Sequence, residues 1–268
     1  MTLRLFTLLF SLCFVANTHA DALRMAVTTS FHNSGLSDIL LPAIAEDTGL
    51  EVQLLIVGTG QAIRLGASGD VDAILVHSRS AEDAFIAEGF GTHRREIMFN
   101  DFVFIGPSDD PADLASAANA SDALSRIRAA KAAFVSRGDD SGTHKKELSL
   151  WNSADLDPED FGDWYRAVGA GMGASLNTAA GLNAYILSDR ASWLNFGNKR
   201  DLALVFSGDP LLKNQYAYLP VDANRHPHVK HDAALRLEDW LTGARAKTLI
   251  NNYKIGGETL FVFNATAD

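Results

Sequence analysis

Strand and helix patterns alternate along most of this chain, and that alternation limits its fold more than any other feature. Apolar runs predict strands at 23–27, 51–57, 73–76 and 96–105, and helical patterns at 36–45, 61–65 and 81–88 separate them. A strand, a helix and a strand at this spacing predict a parallel sheet with right-handed crossovers. The sequence therefore predicts an α/β fold.

The pattern restarts beyond Pro111, so a second α/β unit follows the first. Predicted helices cover 122–131, 145–151 and 175–180, and predicted strands cover 133–135 and 185–187. An extended segment at 216–221 and two closing helices at 232–241 and 244–252 complete the chain. No internal repeat is present. The boundary between the two units, near Pro107, is predicted only from the pattern of strands and helices.

The first twenty residues have the pattern of a secretory signal peptide. Arg4 precedes an apolar run from Leu5 to Ala16, and small and polar residues lead to a cleavage site near Ala20. The run is shorter than the ~20 apolar residues of a membrane span. Cys13, the only cysteine of the chain, lies inside this run. We therefore expect a soluble periplasmic protein without a lipid anchor, a disulfide or thiol chemistry.

The amino-acid composition indicates which kinds of binding partner the protein can have. The formal net charge is -10, which disfavours a nucleic-acid binder, and no nucleic-acid partner is expected. Taken alone, the same charge also disfavours an anionic ligand. The 47% hydrophobic content excludes a disordered chain.

Four loops that follow predicted strands carry most of the candidate chemistry, because ligands of open α/β sheets lie beyond the carboxyl ends of the strands. These loops cover 28–30, 58–61, 77–80 and 136–144, and they are rich in serine, threonine and glycine, with Arg137 in the longest. Hydroxyl, backbone N–H and guanidinium groups all donate hydrogen bonds, and helix N-termini add partial positive charge. This inventory suits a tetrahedral oxyanion.

These loops also fit interpretations other than an anion site. Each loop alone also fits ordinary helix caps and turns. Gly58-Thr59-Gly60 lacks the third glycine and the acid of a dinucleotide site, and Gly69-Asp70 lacks the lysine of a P-loop. Neither segment predicts a nucleotide.

Two further patterns suggest catalysis or metal binding. Ser141 near His144 raises the alternative of a secreted phosphatase or esterase, but no orienting acid or nucleophile-elbow motif accompanies them. His226, His228 and His231 have metal-like spacing without carboxylates in register. We assign no catalytic residue and no cation ligand, and we expect a binding protein rather than an enzyme.

The sequence resembles the substrate-binding components of tungstate ABC importers, the TupA type. The most specific block is FVSRGDDSGTH at 134–144, and similar blocks stand at 26–30, 57–62, 100–103 and 187–190. The likeness spans nearly the whole chain after the signal peptide. One departure is Val27, which replaces the first threonine of the family's TTTS run. Because Val27 continues the strand, we expect its side chain to face the sheet and not the ligand.

The resemblance implies a type II periplasmic binding protein, in which two α/β lobes are joined by two crossover strands and enclose an interlobe anion cleft. The first lobe is expected to combine 21–100 with 216–268, and the second to cover 101–215. Tungstate, molybdate or a related tetrahedral oxyanion is the implied ligand, and no cofactor is implied. The implied partners are an ABC permease and its ATPase at the inner membrane, and the protein itself is expected to be a monomer.

The predicted site combines the loop analysis with this resemblance. Its anion-binding residues are Thr28, Thr29, Ser30, Thr59, Gly60, Arg137, Ser141, Gly142 and Thr143. Tungstate and molybdate accept hydrogen bonds only, whereas phosphate keeps a proton that a carboxylate in the site would accept. We expect Asp139 and Asp140 to turn outward, capping the helix or orienting Arg137.

Several alternatives stay open at this point. Phosphate or sulfate binding on the same fold remains an alternative, and a scaffold or adhesin would bind no small molecule. The preference for tungstate over molybdate rests on the resemblance alone.

Overall fold

The computed structural model describes residues 22–266, so the predicted signal peptide and Cys13 lie outside the described residues. The strands are β1 (Leu23–Thr28), β2 (Val52–Val57), β3 (Ala73–Val76), β4 (Arg95–Pro107), β5 (Phe134–Ser136), β6 (Tyr165–Ala167), β7 (Tyr185–Asp189), β8 (Leu202–Phe206), β9 (Lys213–Pro220), β10 (Lys254–Ile255), β11 (Glu258–Thr259) and β12 (Val262–Phe263). The helices are α1 (Thr29–Asn33), α2 (Leu36–Thr48), α3 (Thr59–Ser68), α4 (Arg79–Ala87), α5 (Ala120–Ala130), α6 (Gly142–Ser153), α7 (Met172–Leu182), α8 (Arg190–Asn195), α9 (His231–Thr242) and α10 (Ala244–Asn252).

The strands form two sheets that share one strand. The first sheet has the order β2-β1-β3-β9-β4-β12, and the second has the order β8-β4-β7-β5-β6. Pairing is parallel among β1, β2 and β3, and again among β5, β6 and β7. The predicted α/β fold is confirmed, and the chain crosses between the two sheets twice, once along β4 and once on entering β9.

The shared strand β4 differs from the prediction. Its residues 95–101 pair with β9, and its residues 102–107 pair with β7 and β8, in each case antiparallel. The expectation of a parallel sheet was therefore wrong for the predicted strand 96–105, which is part of β4. A strand that leaves one sheet to enter the other has no βαβ crossover to fix its direction, so the neighbouring strands decide it.

Side chains that alternate along the strands fill cores on both faces of each sheet. In β1, Val27 points into one core while Ala26 points into the core on the opposite face. In β4, Phe104 and Val103 are divided in the same way between the two cores of the second sheet. This period of two is the normal consequence of strand geometry. Val27 is fully buried among apolar residues, which confirms that its side chain faces the sheet packing.

The cores separate along the chain as the lobe prediction requires. The two cores of the second sheet draw only on residues 102–212. The buried residues of the first sheet's cores come from 23–98 and 216–261, and α8 adds buried Ala191 and partly buried Leu194. The predicted lobe boundaries fall inside β4 and β9 and stay a prediction. Among the helices of residues 22–266, none has the length and apolar character needed to cross a membrane.

Candidate functional site

A small cavity lies where the loops after β1, β2, β3 and β5 meet. It offers about 10 Å³ to the centre of a water-sized sphere, which is room for one small group. Its lining residues are Thr28, Thr29, Ser30, Gly58, Thr59, His77, Arg137, Ser141, Gly142 and Thr143. Eight of the nine predicted site residues are in this set, and no carboxylate is.

Hydroxyl groups dominate the first-lobe wall of the cavity. Thr28 caps α1, because its Oγ1 accepts a hydrogen bond from the backbone N–H of Phe31 at 3.3 Å. Thr28 Oγ1 also lies 3.0 Å from Ser30 Oγ. Thr59 opens α3, and its buried Oγ1 has no hydrogen-bond partner in the part of the chain that the structure describes. A buried hydroxyl without a partner is costly, so it is available to a ligand.

His77 completes this wall as a neutral ring. Its Nε2 lies 3.0 Å from Ser30 Oγ, and its ring centroid lies 4.8 Å from that of Tyr216. Burial lowers the pKa of His77 to about 4, and the positive charge of Arg137 acts in the same direction. The imidazole is therefore uncharged at neutral pH. Its Nδ1 is buried and has no hydrogen-bond partner among the described residues.

Arg137 supplies the formal charge of the second-lobe wall. The side chain is buried, although an isolated guanidinium is costly to bury. Its Nη2 donates to Asp139 Oδ2 at 2.5 Å, and its Nη1 donates to Thr143 Oγ1 at 3.3 Å. Its Nε is buried and lacks a partner within residues 22–266. Arg137 is thus held in place by its neighbours and still has an unused donor.

The N-terminus of α6 forms the rest of the second wall. Ser141 caps this twelve-residue helix by accepting a hydrogen bond from the backbone N–H of His144 at 3.2 Å. Gly142 and Thr143, its first two residues, line the cavity. Helix N-termini favour anions because their N–H groups are unpaired and the helix dipole is positive there.

The two aspartates of this loop lie outside the cavity lining, and Asp139 orients Arg137 as predicted. Asp139 holds Arg137 and also accepts from the backbone N–H of Ser141 at 3.3 Å. Asp140 pairs with Lys145, whose hydrogen bond lowers the pKa of that carboxyl. Neither aspartate lines the cavity. A ligand proton would therefore find no carboxylate acceptor there.

Gly60 is the predicted residue that does not line the cavity. A Cβ placed on Gly60 would stand 3.0 Å from Asp140 Oδ2, so this glycine lies under the second-lobe loop instead. Gly58, two residues earlier, takes its place in the lining.

Comparison with known proteins assigns the family. Residues 15–245 match the PBP superfamily domain. The tungstate-binding protein TupA of Peptoclostridium acidaminophilum is 41% identical over 245 residues, which cover 90% of this chain and 85% of that protein. The chain belongs to the TupA family of the PBP superfamily.

Solved structures of TupA relatives share the fold. The tungstate-binding protein TupA from Desulfovibrio alaskensis G20 aligns with a TM-score of 0.83 at 41% identity, covering 92% of this chain and all of that one. The tungstate ABC transporter structure from Geobacter sulfurreducens aligns with a TM-score of 0.80 at 45% identity, covering 87% and 99%. The two-lobed architecture of the TupA family is therefore that of this chain.

Gly142 sets how closely the lobes approach each other in this TupA-family protein. A Cβ on Gly142 would stand 2.5 Å from Cε1 of His77 and 3.0 Å from Thr59 Oγ1, and both of these residues belong to the first-lobe wall. Such distances are shorter than van der Waals contact, so a larger residue would push the walls apart. The site is thus complete only when the two walls meet.

Sequence reasoning missed two buried groups beside the predicted residues. His77 stood in one of the four loops that were singled out, but nothing in the sequence showed that its ring would be buried against Ser30. Asp189, at the end of β7, is fully buried, and its Oδ1 accepts from the backbone N–H of Ser192 at 2.8 Å. Burial raises the pKa of Asp189, and the nearby charge of Arg137 opposes this shift.

The patterns that suggested catalysis or a metal have structural partners in this TupA-family chain. Ser141 Oγ accepts from the backbone of His144, and His144 Nδ1 accepts from the backbone N–H of Asp140 at 3.2 Å, so neither bond joins a nucleophile to a base. The rings of His226, His228 and His231 each donate to a backbone carbonyl at 2.9 to 3.0 Å. Within residues 22–266, no cluster of metal-ligating side chains is present.

Proposed function

We propose that this protein captures a fully deprotonated tetrahedral oxyanion, tungstate above all, in the cavity between its two walls. The observation that carries the proposal is a buried lining that offers hydroxyl, guanidinium and helix N-terminal donors and no carboxylate. Tungstate, molybdate and sulfate accept hydrogen bonds only, and all three match such a lining. The names of the relatives at 41% identity favour tungstate among them.

The proposed donors come from both walls. Thr28, Thr59 and the hydroxyl of Ser30 provide directional neutral donors from the first lobe. Arg137 provides the charge, and the start of α6 provides unpaired N–H groups from the second lobe. Thr59 Oγ1 and Arg137 Nε are buried without a partner among the described residues, and the anion would satisfy these two donors.

The transport role follows from the family. A binding protein that closes over its cargo presents a different surface when loaded, and a membrane permease can recognise that surface. We propose an ABC permease with its ATPase as the partner, and the periplasm as the compartment. The predicted cleavage near Ala20 and the predicted monomeric state are parts of the same proposal.

Calorimetric titration of the processed protein with tungstate, molybdate, sulfate and phosphate tests the ligand. We expect one anion bound per chain, with tungstate or molybdate tightest and phosphate weakest because no carboxylate lines the site to accept its proton. Heat with phosphate and none with tungstate would overturn the proposal. Turnover of a phosphoester or acyl ester would instead favour the hydrolase alternative.

A further inference from the structure

A second, larger cleft adjoins the anion cavity. Its volume is about 460 Å³, and its walls come from the start of α4, from α6 and from the crossover strands β4 and β9. It shares two lining residues, His77 and Gly142, with the anion cavity. The two spaces therefore meet at the point where the lobes touch.

The lining of this cleft is strongly basic. Arg79, Lys145, Lys146 and Lys213 line it, against one acidic residue, Asp83. We call this space the basic cleft. It stands out on a protein whose formal net charge is -10.

Two of these four cations are already neutralised by partners. Arg79 pairs with Asp83 at 2.7 Å, and Lys145 pairs with Asp140, outside the lining. At distances larger than the separation within each pair, these two cations therefore add little to the positive electrostatic potential of the basic cleft.

The other two cations have no ion pair within residues 22–266. Lys213 is exposed, and its Nζ lies 4.2 Å from the centroid of the Phe99 ring. Lys146 is half-buried on α6; burial lowers its pKa, and the carboxylate of Asp209 opposes that shift. These two ammonium groups give the basic cleft its positive excess.

A charged ligand is sensitive to such a local excess. A dianion that approaches an acidic protein is repelled at long range, but screening confines each surface charge to a Debye length of about 8 Å at physiological salt. Within that distance, a cleft lined by one sign of charge concentrates the opposite ion and raises its association rate. The anion cavity has mostly buried walls, and the larger basic cleft joins it at His77 and Gly142, where the two lobes touch.

We propose that the basic cleft is the access route of the anion, and that Lys146 and Lys213 accelerate its capture without contacting it in the final site. The inference rests on the proposed function, since it requires an anionic ligand. It assigns these lysines to the rate of association, whereas Arg137 and the hydroxyls determine the rate of dissociation.

Stopped-flow measurements with sodium tungstate test the inference, using the tryptophan fluorescence of the processed protein. The variant is Lys146→Gln with Lys213→Gln, and the matched control is Lys247→Gln with Lys254→Gln, two exposed lysines that do not line the cleft. At low ionic strength, we expect the cleft variant to associate about 5-fold to 10-fold more slowly and to dissociate at the wild-type rate. At high salt the difference should shrink, and the control should match the wild type throughout.

The outcomes separate the two proposals. Tight tungstate binding with an unchanged association rate in the cleft variant overturns the access route and leaves the proposed function standing. A slower rate shared equally by the control pair also overturns it, because net charge alone would then explain the effect. A wild-type protein that takes up no tungstate overturns the proposed function, and the inference that rests on it.

Discussion

The two walls of the anion cavity use different chemistry for one ligand. The first-lobe wall consists of hydroxyls and a neutral imidazole, and it carries no formal charge at neutral pH. The second-lobe wall carries Arg137 and the N-terminus of α6. This difference teaches that the one charged donor of the cavity lining belongs to the second lobe, whereas the first lobe offers only neutral groups, which complete the hydrogen bonds once the walls meet.

This comparison predicts that the second wall supplies most of the affinity. Replacement of Arg137 by Ala should weaken tungstate binding about 100-fold or more, because it removes a charge-assisted donor from a buried site. Arg137→Lys should recover only part of the loss, since an ammonium lacks the planar fork. Calorimetry measures both, with Arg166→Ala on exposed β6 as the control. Unchanged affinity in Arg137→Ala would remove this residue from the site.

The contact between the walls gives the next largest effect. Gly142→Ala should weaken binding by about 10-fold to 30-fold, because the added methyl group would meet His77 and Thr59 before the walls close. Its α6 backbone has an ordinary conformation, so the fold should tolerate alanine. Gly173→Ala in α7, where a Cβ meets nothing within 4 Å, is the matched control. Equal affinities for the two variants would show that the walls need not approach so closely.

Two buried groups, His77 of the first wall and Glu147 of α6 behind the second wall's helix start, make stability depend on pH in opposite directions. The pKa of His77 is lowered to about 4 from 6.5, so the folded state loses stability as pH falls from 6.5 towards 4. Burial raises the pKa of Glu147, on α6, from 4.5 to about 7. This group therefore makes the folded state lose stability as pH rises from 4.5 to 7. Each slope is at most about 1.4 kcal/mol per pH unit, and the two oppose each other between pH 4.5 and 6.5.

Removing one group should expose the other slope. Urea unfolding at several pH values between 4.5 and 6.5 should show stability rising more steeply with pH in Glu147→Gln than in the wild type. The same series should show it rising less steeply, or falling, in His77→Gln. Curves parallel to the wild type for both variants would mean that neither group titrates as its burial requires.

The smallest effect concerns a single hydroxyl of the first wall. Thr59→Val should stabilise the ligand-free protein by about 1 kcal/mol, because the buried Oγ1 has no partner among residues 22–266. It should also weaken tungstate binding about 5-fold to 10-fold. Thr178→Val, at a half-buried position of α7 that does not line the cavity, is the control for both measurements. A loss of stability together with unchanged affinity would show that this hydroxyl serves the fold and not the ligand.

Much of the architecture could be predicted because its signals are local. Strands β1 to β3 and β5 are short apolar runs beside amphipathic helices, and the glycine, serine and threonine residues after them mark the helix starts. The direction of β4 was not predictable in this way, since it depends on partners more than 80 residues away in the chain. Strand β6, three residues long with Arg166 at its centre, carries no apolar pattern at all.

The residues of the candidate site also differ in whether local sequence signals could predict them. Arg137, Ser141 and Thr143 lie in one loop, so composition alone drew attention to them. His77, which follows β3, and Asp189, at the end of β7, become notable only because both are buried near Arg137. Burial that results from packing between distant segments cannot be predicted from the sequence of either segment alone.

The pairing of Asp101 with Lys213 has a consequence for biosynthesis. These residues, on neighbouring strands, are close to the two ends of the segment that builds the second sheet, and the cores of that sheet need nothing beyond residue 212. In contrast, one core of the first sheet contains both Leu23 and Phe261, so it can form only when nearly the whole chain is present. As the polypeptide emerges, the second lobe, which contains Arg137, can fold early. The first lobe, which contains the neutral donors, completes its folding last.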